Sequence, residues 1–259
     1  LYYIVNGAQN EKYTGLVTYG DNNRYYVKDG MVDRSYVGIC KAVDGKYYYV
    51  DKGEWNKEYN GEFISEDGQY YEFSNGISDG PVAIEKSGKC GTDLEWKYLK
   101  NNILWISGTG KMENYNSTNT RPSWYRYSSR TKKIIMDDGI TSIGNCAFSD
   151  FIGIKECTIP DTVKSIGAND FQGCKAITMV ILPDSVESVG ASAFNKCTSL
   201  TEIYVPLSVN SVGDSAFDHN GNETCYVNYE GSKEQWNEMI GNIIPGGDKT
   251  VYLYNITMS

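Results

Sequence analysis

The sequence predicts a mostly β fold built of two repeat arrays, an aromatic β-hairpin array followed by a solenoid of stacked coils. Three observations predict it. Gly144, Gly167, Gly190 and Gly213 recur every 23 residues, in step with Phe148, Phe171, Phe194 and Phe217 and with Pro160, Pro183 and Pro206. Gly7, Gly30, Gly53 and Gly76 keep the same step earlier in the chain, each preceded five residues before by Tyr2, Tyr25, Tyr48 or Tyr71. Between these markers the apolar residues fall in short β-branched runs cut by proline or glycine, too short for helices.

In the second half, Ser142, Ser165, Ser188 and Ser211 keep the period, as do Ile140, Val163, Val186 and Val209, and Ile143, Ile166, Val189 and Val212. One unit shows what the residues do. Val180-Ile181-Leu182 reads as a strand ended by Pro183, which has no N–H for a ladder. Val186 and Val189 begin a second extended piece. Gly190 is expected to permit the bend after it, and Ala193-Phe194 to form a single helical or 3₁₀ turn with Phe194 inward. Such a unit cannot bury its apolar face alone. Stacking turns each repeated position into a ladder of like side chains, with strands roughly 4.8 Å apart.

The pattern L-x-x-I-x-I-P-x-x-V-x-x-I-G-x-x-A-F-x-x-C resembles the BspA-type leucine-rich repeat of bacterial surface proteins, over about residues 90–254. The resemblance implies a leucine-rich-repeat solenoid at 131–225 between an N-terminal cap at 83–130 and a C-terminal cap at 226–259. Cys90-Gly-Thr-Asp-Leu-Glu-Trp, Leu104-Trp-Ile-Ser-Gly-Thr-Gly-Lys-Met and Pro122-Ser-Trp-Tyr belong to the first cap, and Val227-Asn-Tyr-Glu-Gly-Ser-Lys-Glu-Gln-Trp-Asn to the second. Caps are needed because an open end exposes apolar core and unpaired strand edges.

Residues 1–82 form the other array, with the boundary expected near Ser78-Asp-Gly-Pro81. Arg24-Tyr-Tyr-Val-Lys-Asp-Gly-Met-Val-Asp reads as a β-hairpin with its turn at Lys-Asp-Gly. Tyr13-Thr-Gly15, Tyr36-Val-Gly38 and Tyr59-Asn-Gly61 add a third row. The spacing over about residues 1–80 resembles the cell-wall-binding or choline-binding-type repeats of Gram-positive surface proteins. Those families often carry Trp where this chain has Leu16, Ile39 and Phe63, so a cage for a quaternary ammonium lacks walls here. Tyr25, Tyr48 and Tyr71 have two readings, as aromatics that stack on a glycan or as cross-strand pairs that hold the hairpins together.

The 259 residues carry 33 acidic and 24 basic side chains, a net charge of −9, which argues against nucleic acid as partner. No apolar run is long enough to cross a bilayer. The chain begins at Leu1 without a signal peptide, so an export signal and anchor are expected outside this segment. Seven cysteines without a C-x-x-C pair offer no zinc or redox motif. Cys174 and Cys197 occupy equivalent places and read as buried thiols or as a disulfide. His219, the one histidine, stands in a polar stretch whose Asp218, Asn220 and Asn222 alternate as in a calcium loop, but Glu223 and Tyr229 replace the required Gly and Glu. Gly108-Thr-Gly110 lacks the third glycine of a dinucleotide loop. No catalytic residue, cofactor or metal ligand is assigned, and the chain reads as non-enzymatic.

If each coil's strand alternates, Ile135, Thr158, Ile181 and Tyr204 form one outward row, and Lys133, Glu156, Met179 and Glu202 another. Ile135, Glu156, Thr158, Met179, Ile181, Glu202 and Tyr204 are the candidate partner-binding face. They are either an interaction patch or a surface covered by other parts of the protein. The resemblance implies adhesion or recognition of a protein at the outside of a bacterial cell. Two alternatives stand beside it: a carbohydrate or cell-wall module with the solenoid as spacer, and an accessory region of a larger surface enzyme.

Overall fold

The structure is a computed structural model that describes residues 11–20, 23–155, 157–218 and 225–239, with the backbone alone of Ile4–Val5, Ala8–Gln9, Ile240 and Tyr252–Leu253. It is mostly β, with one α-helix among the described residues, Lys233–Ile240. The chain divides into two compact units, Leu1–Ala83 and Ile84–Ser259.

In the first unit, Asn23–Lys28 pairs antiparallel with Met31–Val32, and Tyr47–Asp51 with Glu54–Trp55. The connecting residues are Asp29 and Gly30 (φ 49° and 76°) and Lys52 and Gly53 (φ 50° and 74°). Two consecutive positive φ values define the type I′ turn that suits right-twisted strands. Gly53 is needed for a second reason. A Cβ there would lie 2.3 Å from the Asp33 carbonyl oxygen, and one on Gly76 would lie 2.0 Å from that of Asn56. Each turn glycine is thus pressed against the repeat before it. There its N–H donates to Tyr36 O (2.9 Å) or Tyr59 O (2.7 Å). The tyrosine rows meet the glycine rows at this seam. Tyr26 stacks on Tyr36 and Tyr49 on Tyr59, both with centroids 3.8 Å apart. Tyr36 and Tyr59 each donate a hydroxyl three residues on, to Ile39 O and Glu62 O, at 2.6 Å. Burial pushes the Tyr36 hydroxyl up to about 12, which keeps it a donor.

The second unit opens with an antiparallel sheet of Ile84–Lys89, Asp93–Leu99 and Ile103–Lys111. The last of these then pairs parallel with Lys133–Met136 and Ile140–Ile143. From there the pairing is parallel throughout. Ser142 pairs with Ser165, Ser165 with Ser188 and Ser188 with Ser211, and Ile143, Ile166, Val189 and Val212 follow beside them. A second parallel sheet joins Met179–Ile181, Glu202–Val205 and Tyr226–Tyr229.

The inward phenylalanines form a column of aromatic rings. Phe148 lies 5.4 Å from Phe171, Phe171 5.4 Å from Phe194, and Phe194 6.1 Å from Phe217. Trp124 closes one end, 6.4 Å from Phe148, and Trp236 of the helix closes the other, 6.1 Å from Phe217. Trp124 is fully buried and its indole N–H donates to Ala147 O at 2.9 Å, so the ring's polar atom is satisfied.

One expectation needs correction. Gly190 does not serve as a flexible bend, because its φ is not positive. A Cβ there would sit 2.5 Å from Ala168 N, and on Gly167 2.5 Å from Asn145 N, so glycine is required where one chain segment presses on the next. The left-handed residue comes two places later, at Cys146, Asn169, Ser192 and Ser215 (φ 54–55°). Ala193-Phe194 sit in a single turn, closed by Asn195 N donating to Ser192 O at 3.1 Å, with Phe194 buried. Positive φ at Ser192 and Lys196 keeps it from extending into a helix. Among the described residues the one 3₁₀ helix is Tyr125–Tyr127.

All seven cysteines are free thiols. The Cys174 and Cys197 thiols point away from a shared bond, donating to Phe148 O at 3.2 Å and Phe171 O at 3.1 Å. Burial raises Cys197 to about 12 and Cys174 well above its ordinary value, so neither offers a thiolate.

Asp170 stands where the neighbouring repeats have Ala147, Ala193 and Ala216. It is fully buried. One carboxyl oxygen accepts from Phe148 N at 3.3 Å and the other has no partner. Burial therefore raises its pKa well above the ordinary 3.8. The folded chain holds a proton that the unfolded chain releases near that value. Stability is full below it and falls as pH rises towards the folded pKa. Replacing Asp170 by Ala removes this loss. The melting temperature of Asp170→Ala should gain on the wild type between pH 4 and 8, by roughly 2–4 °C per kcal/mol. An equal gap at both pH values would contradict a buried neutral acid. Phe194→Ala should lower stability by about 3–5 kcal/mol in denaturant titration, as the deletion of a ring from a closed column.

Candidate functional site

The strand Met179–Ile181 alternates exposed, buried, exposed, because Val180 turns into the core between two outward residues. Glu202–Val205 repeats this with Ile203 and Val205 inward and Tyr204 outward. Parallel register then sets Met179 beside Glu202 and Ile181 beside Tyr204. Met179, Ile181 and Tyr204 are 48%, 59% and 40% exposed, unusually open for large apolar side chains in neighbouring strands. The Tyr204 hydroxyl donates to Glu202 Oε2 at 2.8 Å, which raises the phenol's pKa and fixes the ring on the surface.

The remaining predicted members are less closely gathered. Thr158 is exposed, Ile135 is half-buried opposite Trp105, and Glu156 lies outside the described residues. Leu207 and Tyr226, exposed at 58% and 37%, were not among the expected face residues. Tyr226 pairs with Glu202, 24 residues on, so the 23-residue step points to the buried Cys225 instead. Leu207 carries no signal in the pattern, since Asp161 and Asp184 hold its place in earlier repeats.

The tyrosines proposed for glycan contact divide. Tyr25 is half-buried. Tyr48 is 3% exposed: the Arg24 guanidinium covers its ring at 4.0 Å, Trp55 meets it edge-on, and its hydroxyl donates to Asp44 at 2.7 Å. Tyr71 is 4% exposed, packed on Tyr47 and Phe73. The glycan assignment of Tyr48 and Tyr71 is therefore corrected. A sugar stacks on an open ring face, and these faces are filled by the chain's own side chains.

Gly108 and Gly110 lie in the strand Ile103–Lys111, not before a helix. His219 lies outside the described residues. Among the described residues no group of three or more His, Cys, Asp or Glu side chains is placed to hold a metal ion. No helix there is long and apolar enough to cross a membrane.

A β-rich chain of two repeat-bearing units, the second with paired parallel ladders and an aromatic column, is the class of protein this geometry defines. Residues 118–238 match the BspA type leucine rich repeat region in six copies, and residues 12–33 match a choline-binding repeat. The second unit thus carries BspA-type leucine-rich repeats. Among solved structures, a leucine-rich repeat protein from Eubacterium ventriosum is 23% identical, with a TM-score of 0.43, over 56% of this chain and 44% of its own. A leucine rich cell surface protein from Faecalibacterium prausnitzii is 21% identical, with a TM-score of 0.43, over 69% and 40%. The pneumococcal vaccine antigen PcpA is 16% identical, with a TM-score of 0.37, over 57% and 51%. The chain thus spans less than half the length of the first two. No curated protein matches.

Because Met179 and Tyr204 face outward, Met179→Ala and Tyr204→Ala should each change stability by no more than about 0.5 kcal/mol. A marked fall in the thermal melt of either variant would place those side chains in the core.

Proposed function

We propose that this chain is a non-enzymatic recognition module, working at the outside of a bacterial cell, whose leucine-rich repeats bind a protein partner. In this reading residues 131–225 are a solenoid of 23-residue coils. Residues 83–130 and 226–259 cap it, and residues 1–82 are a separate hairpin array. The exposed row of Met179, Ile181 and Tyr204 on adjacent parallel strands carries the reading. Interface cores favour aromatic and methionine side chains, and a sheet held by a packed column presents them with little entropy left to lose on binding. Glu202 and Thr158 supply polar contacts at the rim.

A second reading, attachment to the cell wall, is favoured by the choline-binding repeat at residues 12–33. In that case the hairpin array holds the surface and the repeats act as a spacer. The full chain and its Met179→Ala/Tyr204→Ala variant, immobilised in parallel against panels of surface proteins and cell-wall glycans, separate the two. Recognition through the repeat face predicts a protein ligand whose affinity falls at least about tenfold in the variant, as for loss of two interface anchors. Glycan binding that the variant leaves intact would favour attachment and count against the face.

A further inference from the structure

Beside the exposed row, the second unit has an open groove of about 350 Å³. It is lined by Ile181 and Tyr204 of that row and by Asp161, Asp184, Asn228 and Glu230. Asp161 and Asp184 are one 23-residue step apart. Glu230 follows Tyr229, which pairs with Val205, so the register sets it beside Pro206. All three carboxylates line the same groove. No Lys or Arg lines the groove, and no ion pair joins Asp161 or Asp184 to a cation among the described residues. Among the described residues, Glu230 Oε2 accepts the long bond from Leu207 N, at 3.3 Å.

A groove lined by carboxylates and by no basic side chain presents a negative potential, which attracts a cation. The apolar row needs a different occupant, a greasy side chain. We propose that the groove takes an extended protein segment in which lysine or arginine alternates with large apolar residues. The basic side chains lie on Asp161, Asp184 and Glu230 and the apolar ones on Ile181 and Tyr204. Alternation is the natural form of such a ligand, because successive side chains of an extended chain point to opposite sides. This proposal rests on the reading of the sheet face as a recognition surface and adds the chemistry of what is recognised.

The test is fluorescence anisotropy of the full chain with three labelled probes: a short peptide of alternating lysine and leucine, its glutamate–leucine counterpart, and an N-acetylglucosamine oligomer. The lysine–leucine peptide should bind, and more weakly as salt rises. Asp161→Asn/Asp184→Asn/Glu230→Gln should weaken it about tenfold, the sum of three surface charge pairs. A charge-matched control on the first unit, Asp29→Asn/Glu58→Gln/Glu66→Gln, should leave it within about twofold. Tyr204→Ala should also weaken it. An equal fall in the control would reduce the effect to general attraction to an acidic protein and overturn the proposal. So would preferential binding of the glutamate–leucine peptide or of the oligosaccharide. If Tyr204→Ala weakens binding and the neutralised triple does not, the face stands and the cationic partner falls. Indifference to both variants removes the face as well.

Discussion

The aromatic column from Trp124 to Trp236 is the interaction on which the second unit depends. A single repeat offers two or three strand residues and one inward phenylalanine. That is too little apolar area to offset the entropy of ordering some twenty residues. Each ring becomes buried only when another repeat lies on either side. Burial of a phenylalanine stabilises by about 1.5–3 kcal/mol, and an aromatic pair adds about 0.5–1.5 kcal/mol more. Both terms belong to the contact between repeats. The unit's stability is thus largely that of its interfaces, and the two tryptophans matter because they convert its ends into further interfaces.

Close stacking constrains the backbone as firmly as the core. Gly144, Gly167, Gly190 and Gly213 recur because any Cβ there would strike the main chain of a neighbouring segment, as near as 1.8 Å at Gly144. The first unit solves a similar problem with other parts, since Gly53 and Gly76 let the carbonyls of Asp33 and Asn56 approach while stacked tyrosines fill the seam. Once the inward positions are fixed, the outward ones are also fixed, because strand side chains alternate. The row of Met179, Ile181 and Tyr204 is held in place by the same register that builds the core. A binding face on such a frame is ordered before its partner arrives.

Much of this was legible in the sequence because the period is a local property that the structure reads literally. Ser142, Ser165, Ser188 and Ser211 pair in chain order, and the four phenylalanines line up. What escaped depends on contacts the period does not encode. Tyr226 joins its strand one residue late, after a stretch that interrupts the count. Tyr48 and Tyr71 looked like ligand-facing aromatics. Only the fold shows Arg24 lying over the first and Tyr47 and Phe73 against the second. The role of Gly190 was misread because a sequence shows that glycine is needed, not whether conformation or crowding demands it. Asp170 gave no warning, since a carboxylate among alanines looks like a surface residue until its burial is seen.

Native-state hydrogen exchange, followed residue by residue, tests most directly whether the repeats stand or fall as one body. The Phe171 and Phe194 amides donate to Ala193 O and Ala216 O, and the Gly190 and Gly213 amides to Ile166 O and Val189 O, each bond joining one repeat to the next. A shared column predicts that these four amides exchange together, at the free energy of global unfolding. Exchange of the Phe194 amide at the rate of an exposed loop, or opening of one repeat while its neighbours stay protected, would contradict it.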